Sequence, residues 1–240
     1  MLTALGDLVA PRHCLVCGRE LTMNERHVCI FCDADMPFTH YAGMERNPMS
    51  EAFNGIIERR LSHDAPLEMY ARAASLFYYN SETGYKFIPQ ALKYHGDFAA
   101  GKRFAAILGR ELAASSLYED VDCVIPVPLH WTRRWRRGYN QAEIIARELA
   151  KALGSPCRAD ILKRKRITKT QTALTVEQKA ANVATAFAAR LRKNPDADFR
   201  HLLLVDDVFT TGATLAACFL ALRAVFPTAR ISAAALSSVV

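Results

Sequence analysis

The sequence lacks any uninterrupted apolar run long enough to span a bilayer, so a helical membrane anchor is not expected. Its first residues, "MLTALGDLVAPRH", have no basic stretch ahead of an apolar one and carry Asp7, so no secretory signal is expected. There is no internal repeat and no low-complexity segment. Tryptophan is scarce: the chain has two, Trp131 and Trp135, both in one short stretch. Acidic residues are also in deficit, 24 against 31 Lys and Arg, which leaves a formal charge of +7. That imbalance fits a polyanionic partner, nucleic acid or a phosphorylated small molecule, or else a generally basic surface. With neither signal nor span, the chain is expected in the cytoplasm. There its seven cysteines read as reduced thiols or metal ligands rather than disulfides.

What is present suits one sizeable domain with a small appendage: 240 residues, 51% hydrophobic and 23% charged. Residues 1 to about 12 read as a short amphipathic helix stopped by Pro11. Residues 40 to 65 show little periodicity and read as linker. "ARAASLFYYN" reads as a strand with a turn over Asn80 to Gly84. "GYKFIPQALKYHGDFAAGKRFAAILGRELAASSL" reads as helical segments interrupted by Pro89 and Gly96. "VDCVIPVP", "CRADILKR", "HLLLVDD" and "RISAAALSSV" read as strands, with helices at "GYNQAEIIARELAKAL" and "ATLAACFLALRAVF". Strands alternating with helices imply βαβ units and an α/β fold built on a mainly parallel sheet.

Near the front stand two C-x2-C pairs, Cys14 with Cys17 and Cys29 with Cys32. Two such knuckles deliver four thiolates to one tetrahedral Zn²⁺, and the metal folds a segment too small to fold alone. Four thiolates leave no open position, so the site is structural. A redox dithiol normally needs one pair, and disulfides need an oxidising compartment. His13 and His27 flank the ligands as bystanders. Cys123, Cys157 and Cys218 sit alone on apolar elements and read as core.

The stretch "LLLVDDVFTTGAT", residues 202–214, carries the chemistry. In an open α/β sheet, ligands bind at the carboxyl ends of the strands. Asp206 and Asp207 are expected at such an end, where paired carboxylates accept hydrogen bonds from a vicinal diol. Val208, Phe209, Thr210, Thr211, Gly212, Ala213 and Thr214 then form a turn of the composition that wraps a phosphate. Gly212 admits close backbone approach, hydroxyls line the turn, and a helix beginning near Ala213 aims its positive end at the anion. The alternative is that the threonines only cap the helix. A diol-binding pair followed by a phosphate cradle describes a ribose 5-phosphate pocket. Across the expected crevice, "CVIPVPLHWTRRWRRGYNQAE" places Arg133, Arg134, Arg136 and Arg137 on a loop. Guanidinium groups suit phosphate. Their interleaving with Trp131, Trp135 and Tyr139 also suits a single-stranded nucleic-acid platform.

The 202–214 stretch closely resembles the phosphoribosyl-pyrophosphate motif of type I phosphoribosyltransferases. Together with "IPVPLH", "RGYNQAE", "LKYHG" (92–96), "TKTQTALTVEQKAANVATAF" (168–187) and the four-cysteine front, it resembles the ComF family, linked to DNA uptake in natural transformation. Tyr139 stands where that family usually has Phe, and Lys179 where Arg is more usual. The resemblance implies a type I phosphoribosyltransferase fold: a zinc ribbon-like module over 1–45, a linker and hood-like segment over 46–95, and a core over 96–240. It implies that Asp206 and Asp207 hold the ribose hydroxyls and that the turn through Thr214 binds the 5-phosphate. "KRKRITKTQTALT" falls where type I enzymes carry a closing loop, so Lys165 and Lys169 join the arginines at pyrophosphate or nucleic acid. Zn²⁺ is the implied structural metal, and Mg²⁺ accompanies phosphoribosyl pyrophosphate.

Two functions follow from this resemblance. One is phosphoribosyl transfer to an acceptor the sequence does not reveal, with no residue nameable as base. The other is a non-catalytic protein that binds single-stranded DNA beside a DNA-uptake helicase. Either acts in DNA uptake, from the cytoplasm and without membrane insertion.

Overall fold

A computed structural model describes residues 11–61, 68–129, 131–164, 186–190 and 199–240. Its centre is a four-stranded parallel sheet of β1 (Ala73–Tyr78), β2 (Cys123–Pro126), β5 (His201–Phe209) and β6 (Arg230–Ser238), ordered β1-β6-β5-β2. The innermost strands are buried almost throughout, as expected where helices cover both faces of a parallel sheet. Two helix pairs flank the sheet. α4 (Phe98–Ala113) packs with α6 (Gln141–Leu153), and α2 (Pro48–Glu58) packs with α7 (Ala213–Arg223). Small residues Ala233, Ala234 and Ala235 fill the middle of β6. Among the described residues no helix is long and apolar enough to cross a membrane.

Several expectations change. The stretch 40–65, read as linker, supplies α2, while β1 and α3 (Phe87–Tyr94) fall where a strand and helical segments were expected. α2 begins with a reciprocal cap: Asn47 Oδ1 accepts from Ser50 N at 2.9 Å and Ser50 Oγ accepts from Asn47 N, with Pro48 in the first turn. Asn47 Nδ2 donates to Ala73 O at 2.8 Å, and Asn54 exchanges two hydrogen bonds with Ala71, so the helix is stitched to β1. Pro89 does not interrupt α3, because it sits in the first turn, where its missing N–H has no helical partner to lose. Gly96, at φ 65°, does end the segment.

"CRADILKR" does not add a long strand to the sheet. Cys157 makes a single parallel bridge to Val124, and β3 (Leu162–Arg164) pairs antiparallel with β4 (Phe187–Ala189) in a separate two-stranded sheet. The chain thus leaves β2, passes through α6 to β2's outer edge at Cys157, and returns to β5 on β2's other side. That reversal makes the gap between the carboxyl ends of β2 and β5 the switch point where such sheets bind ligands. The expected helix at 1–12 lies outside the described residues except for Pro11 and Arg12, which are not helical.

The cysteine module, with its short helix α1 (Ile30–Ala34), is attached to this body. Thr39 N donates to Leu76 O and Tyr78 N to Pro37 O, which covers the free edge of β1. A Cβ at Gly84 would lie 2.0 Å from Val16 O, so only glycine allows the module to pack there.

Candidate functional site

β5 runs on past both acids to Phe209 rather than ending at them. Its neighbour β2 stops at Pro126, opposite Val205, and the last rung on that side is Val127 N to Val205 O at 2.8 Å. The crevice therefore opens at Asp206 because one partner strand ends there, while β6 continues alongside. Asp206 Oδ1 accepts from Asp207 N at 2.9 Å, and Asp207 Oδ1 accepts from Val208 N at 3.0 Å. Desolvation, reinforced by the neighbouring Asp207 charge, pushes Asp206 well above the usual carboxylate range. A paired acid with that raised affinity for positive charge gains from a cation or hydrogen-bond donors placed beside it.

Asp206 and the turn Val208–Leu215 line a small depression. Gly212, at φ 70°, is the N-cap of α7, and no side chain caps that helix. The threonines do not spend themselves on capping. The first N–H groups of α7 are left facing the turn, beside exposed Thr210 and Thr211. Phe209 is buried against Phe53, with ring centroids 6.5 Å apart at 84°, so it anchors the turn from below. Arg60 braces it from the side, donating from Nη1 to Ala213 O at 3.1 Å.

The arginine stretch is a helix, α5 (Trp131–Arg137), rather than the expected loop. Arg133 lies in it, Arg134 and Arg136 are exposed, and Trp135 is 87% exposed. Arg137 donates to Gln141 Oε1 at 3.2 Å and lies over the Tyr94 ring at 5.2 Å. Tyr139 is not a free stacking face: its hydroxyl donates to Leu92 O at 2.6 Å, and its ring meets Phe98 edge-on at 4.8 Å. Asn140 then caps α6, accepting from Ala142 N, and donates to Val127 O at 3.0 Å. "GYNQ" thus fixes the mouth of β2 to α6. Lys165 and Lys169 lie outside the described residues, as do Gln171, Lys179 and Asn182.

Sequence reasoning passed over Lys93. Its Nζ lies 3.2 Å from Asp207 Oδ2. The "LKYHG" block marks its neighbourhood, but a contact across 114 positions leaves no local signal.

In the front module, Cys14, Cys17, Cys29 and Cys32 bring their Sγ atoms within 4.8 Å of one another. Cys17 and Cys29 Sγ are 3.7 Å apart, close to the ~3.8 Å edge of a tetrahedron with 2.3 Å metal–sulfur bonds and far beyond a disulfide. Gly18, at φ 72°, closes the first knuckle. The Cys32 backbone N–H draws the Cys29 thiol down to about 7, which favours a thiolate. His27 Nδ1 faces Asp97 at 3.5 Å, away from the four sulfurs. The cluster fits a metal such as zinc.

The phosphoribosyl transferase domain family matches residues 136–238, the span from α5 through β6. The chain is 28% identical to Competence protein F of Haemophilus influenzae over 210 residues, covering 84% of this chain and 86% of that protein. It is 36% identical to DNA utilization protein YhgH of Escherichia coli strain K12 over 95 residues, 40% of each chain. The YhgH of Salmonella typhi matches at 37% over the same share.

Proposed function

Since this chain belongs to the ComF family of phosphoribosyltransferase-like proteins, we propose that its crevice binds phosphoribosyl pyrophosphate. Asp206 and Asp207 take the ribose hydroxyls, and the turn from Val208 to Thr214 takes the 5-phosphate. The observation that carries this reading is the uncapped α7 N-terminus one turn beyond a desolvated acid pair at the sheet's switch point. Arg133, Arg134, Arg136, Arg137, Lys165 and Lys169 supply positive charge for the leaving diphosphate. Mg²⁺ arriving with the diphosphate would offset its charge, and Asp206 and Asp207 would be the carboxylate oxygens available to it. The four cysteines hold one structural Zn²⁺ that folds the front module.

In this reading the protein acts on incoming DNA from the cytoplasm; its relatives are named for competence and for DNA utilization. Transfer of the phosphoribosyl group to an acceptor is tested by incubation with phosphoribosyl pyrophosphate, Mg²⁺ and a panel of nucleobases and nucleic acids. Acceptor-dependent pyrophosphate release supports catalysis, and none across the panel leaves a binding protein.

The binding-only alternative, single-stranded DNA held for a DNA-uptake helicase, is favoured by α5. Trp135 is almost wholly exposed between exposed Arg134 and Arg136. Replacing Arg134 and Arg136 by Ala should reduce the salt slope of single-strand binding by one to two. An unaltered slope removes that surface.

A further inference from the structure

α3 brings to the crevice a residue that the acid-and-threonine stretch does not contain. Asp207 is 5% exposed, and its Oδ2 is buried without a hydrogen bond, yet Lys93 Nζ lies 3.2 Å away. The contact is an ion pair rather than a directed hydrogen bond. The backbone beside Lys93 is held on two sides. Tyr139 Oη donates to Leu92 O at 2.6 Å. Leu92 also packs so tightly on α4 that a Cβ at Gly101 would come within 2.8 Å of its Cδ1. The ammonium is thereby fixed at its root and free along its four-carbon stem.

The charge balance then sets a condition on the ligand. Among the described residues the two adjacent carboxylates share the Lys93 ammonium, which pairs with Asp207 and also acts on Asp206. When sugar hydroxyls take Asp207, the ammonium loses its partner, and an unpaired half-buried charge is costly. A diphosphate on C1, the carbon next to the one bearing O2′, offers a replacement within reach of the stem. A bare ribose 5-phosphate has none to offer.

Resting on the phosphoribosyl reading above, we propose that Lys93 is a binding residue for the C1 diphosphate. It is parked on Asp207 in the free protein and handed to the ligand on binding, so that it selects phosphoribosyl pyrophosphate over ribose 5-phosphate.

Calorimetry with both sugars and Mg²⁺, on wild type, Lys93→Met and Lys93→Arg, tests this. Lys93→Met should weaken phosphoribosyl pyrophosphate about 10- to 100-fold while ribose 5-phosphate changes less than about threefold, and Lys93→Arg should restore most of the difference. Equal losses for the two sugars make Lys93 a structural counter-ion and overturn the inference alone. No loss for either does the same. Wild-type protein that takes up neither sugar overturns the pocket itself and this role with it.

Discussion

A side chain at Gly212 would meet Phe209 Cζ at 2.7 Å and Ile56 Cδ1 at 2.8 Å. The turn between β5 and α7 is therefore packed from beneath as well as held at φ 70°. Gly212→Ala adds a methyl group where backbone and neighbours both resist it. The expected cost is about 1–3 kcal/mol by denaturant unfolding, with weaker phosphoribosyl pyrophosphate binding. Unchanged stability and binding would mean the turn is looser than its contacts imply.

The cysteine module contributes few large apolar groups, and exposed Met23, Ile30 and Phe31 add nothing to its core. Its folding should depend on the metal. Freshly purified protein should carry about one zinc per chain. Chelation or Cys17→Ser should lower the melting temperature and expose residues 12–34 to protease. Metal-free protein with an unaltered protease pattern would contradict this.

His201 opens β5 fully buried, with Nδ1 2.6 Å from Asp120 Oδ1 and Nε2 2.8 Å from Ser232 Oγ. Burial pushes its pKa below the usual value although Asp120 pulls it up. Its neutral form is the folded one, so its contribution is present above the unfolded pKa near ~6.5 and is lost as pH falls through the lower folded value. His201→Gln should flatten the stability profile over that acidic window. A slope identical to wild type would assign the acid sensitivity elsewhere.

Tyr139 stands at the mouth of the crevice, and its hydroxyl donates to Leu92 O. Tyr139→Phe should cost about 0.5–1.5 kcal/mol by unfolding, since only one hydrogen bond is lost and the ring still meets Phe98. A larger loss would show that the hydroxyl also orders α3.

Legibility followed the reach of each interaction. β5, α7 and β6 were plain because continuous apolar runs bounded by turn residues report burial directly. The four-cysteine cluster was plain because ligand spacing is local. α2 was passed over although Asn47-Pro48 and Ser50 announce its cap, because Asn54 and Gly55 obscure the apolar face formed by Met49, Phe53 and Ile57. α5 read as loop since its arginine run leaves no apolar period. The strand end was placed too early because acids suggest a terminus, whereas β6 goes on pairing with β5 through Phe209. Lys93 was invisible for a different reason: only the packing of α3 on α4 brings it to Asp207.

Titration of phosphoribosyl pyrophosphate with Mg²⁺ into wild type and into Asp206→Asn with Asp207→Asn is the most direct measurement. Saturable one-site binding by wild type, lost in a double variant that still folds, is the predicted result. Equal affinity in the two proteins, or no heat of binding in either, would contradict the pocket on which the account stands.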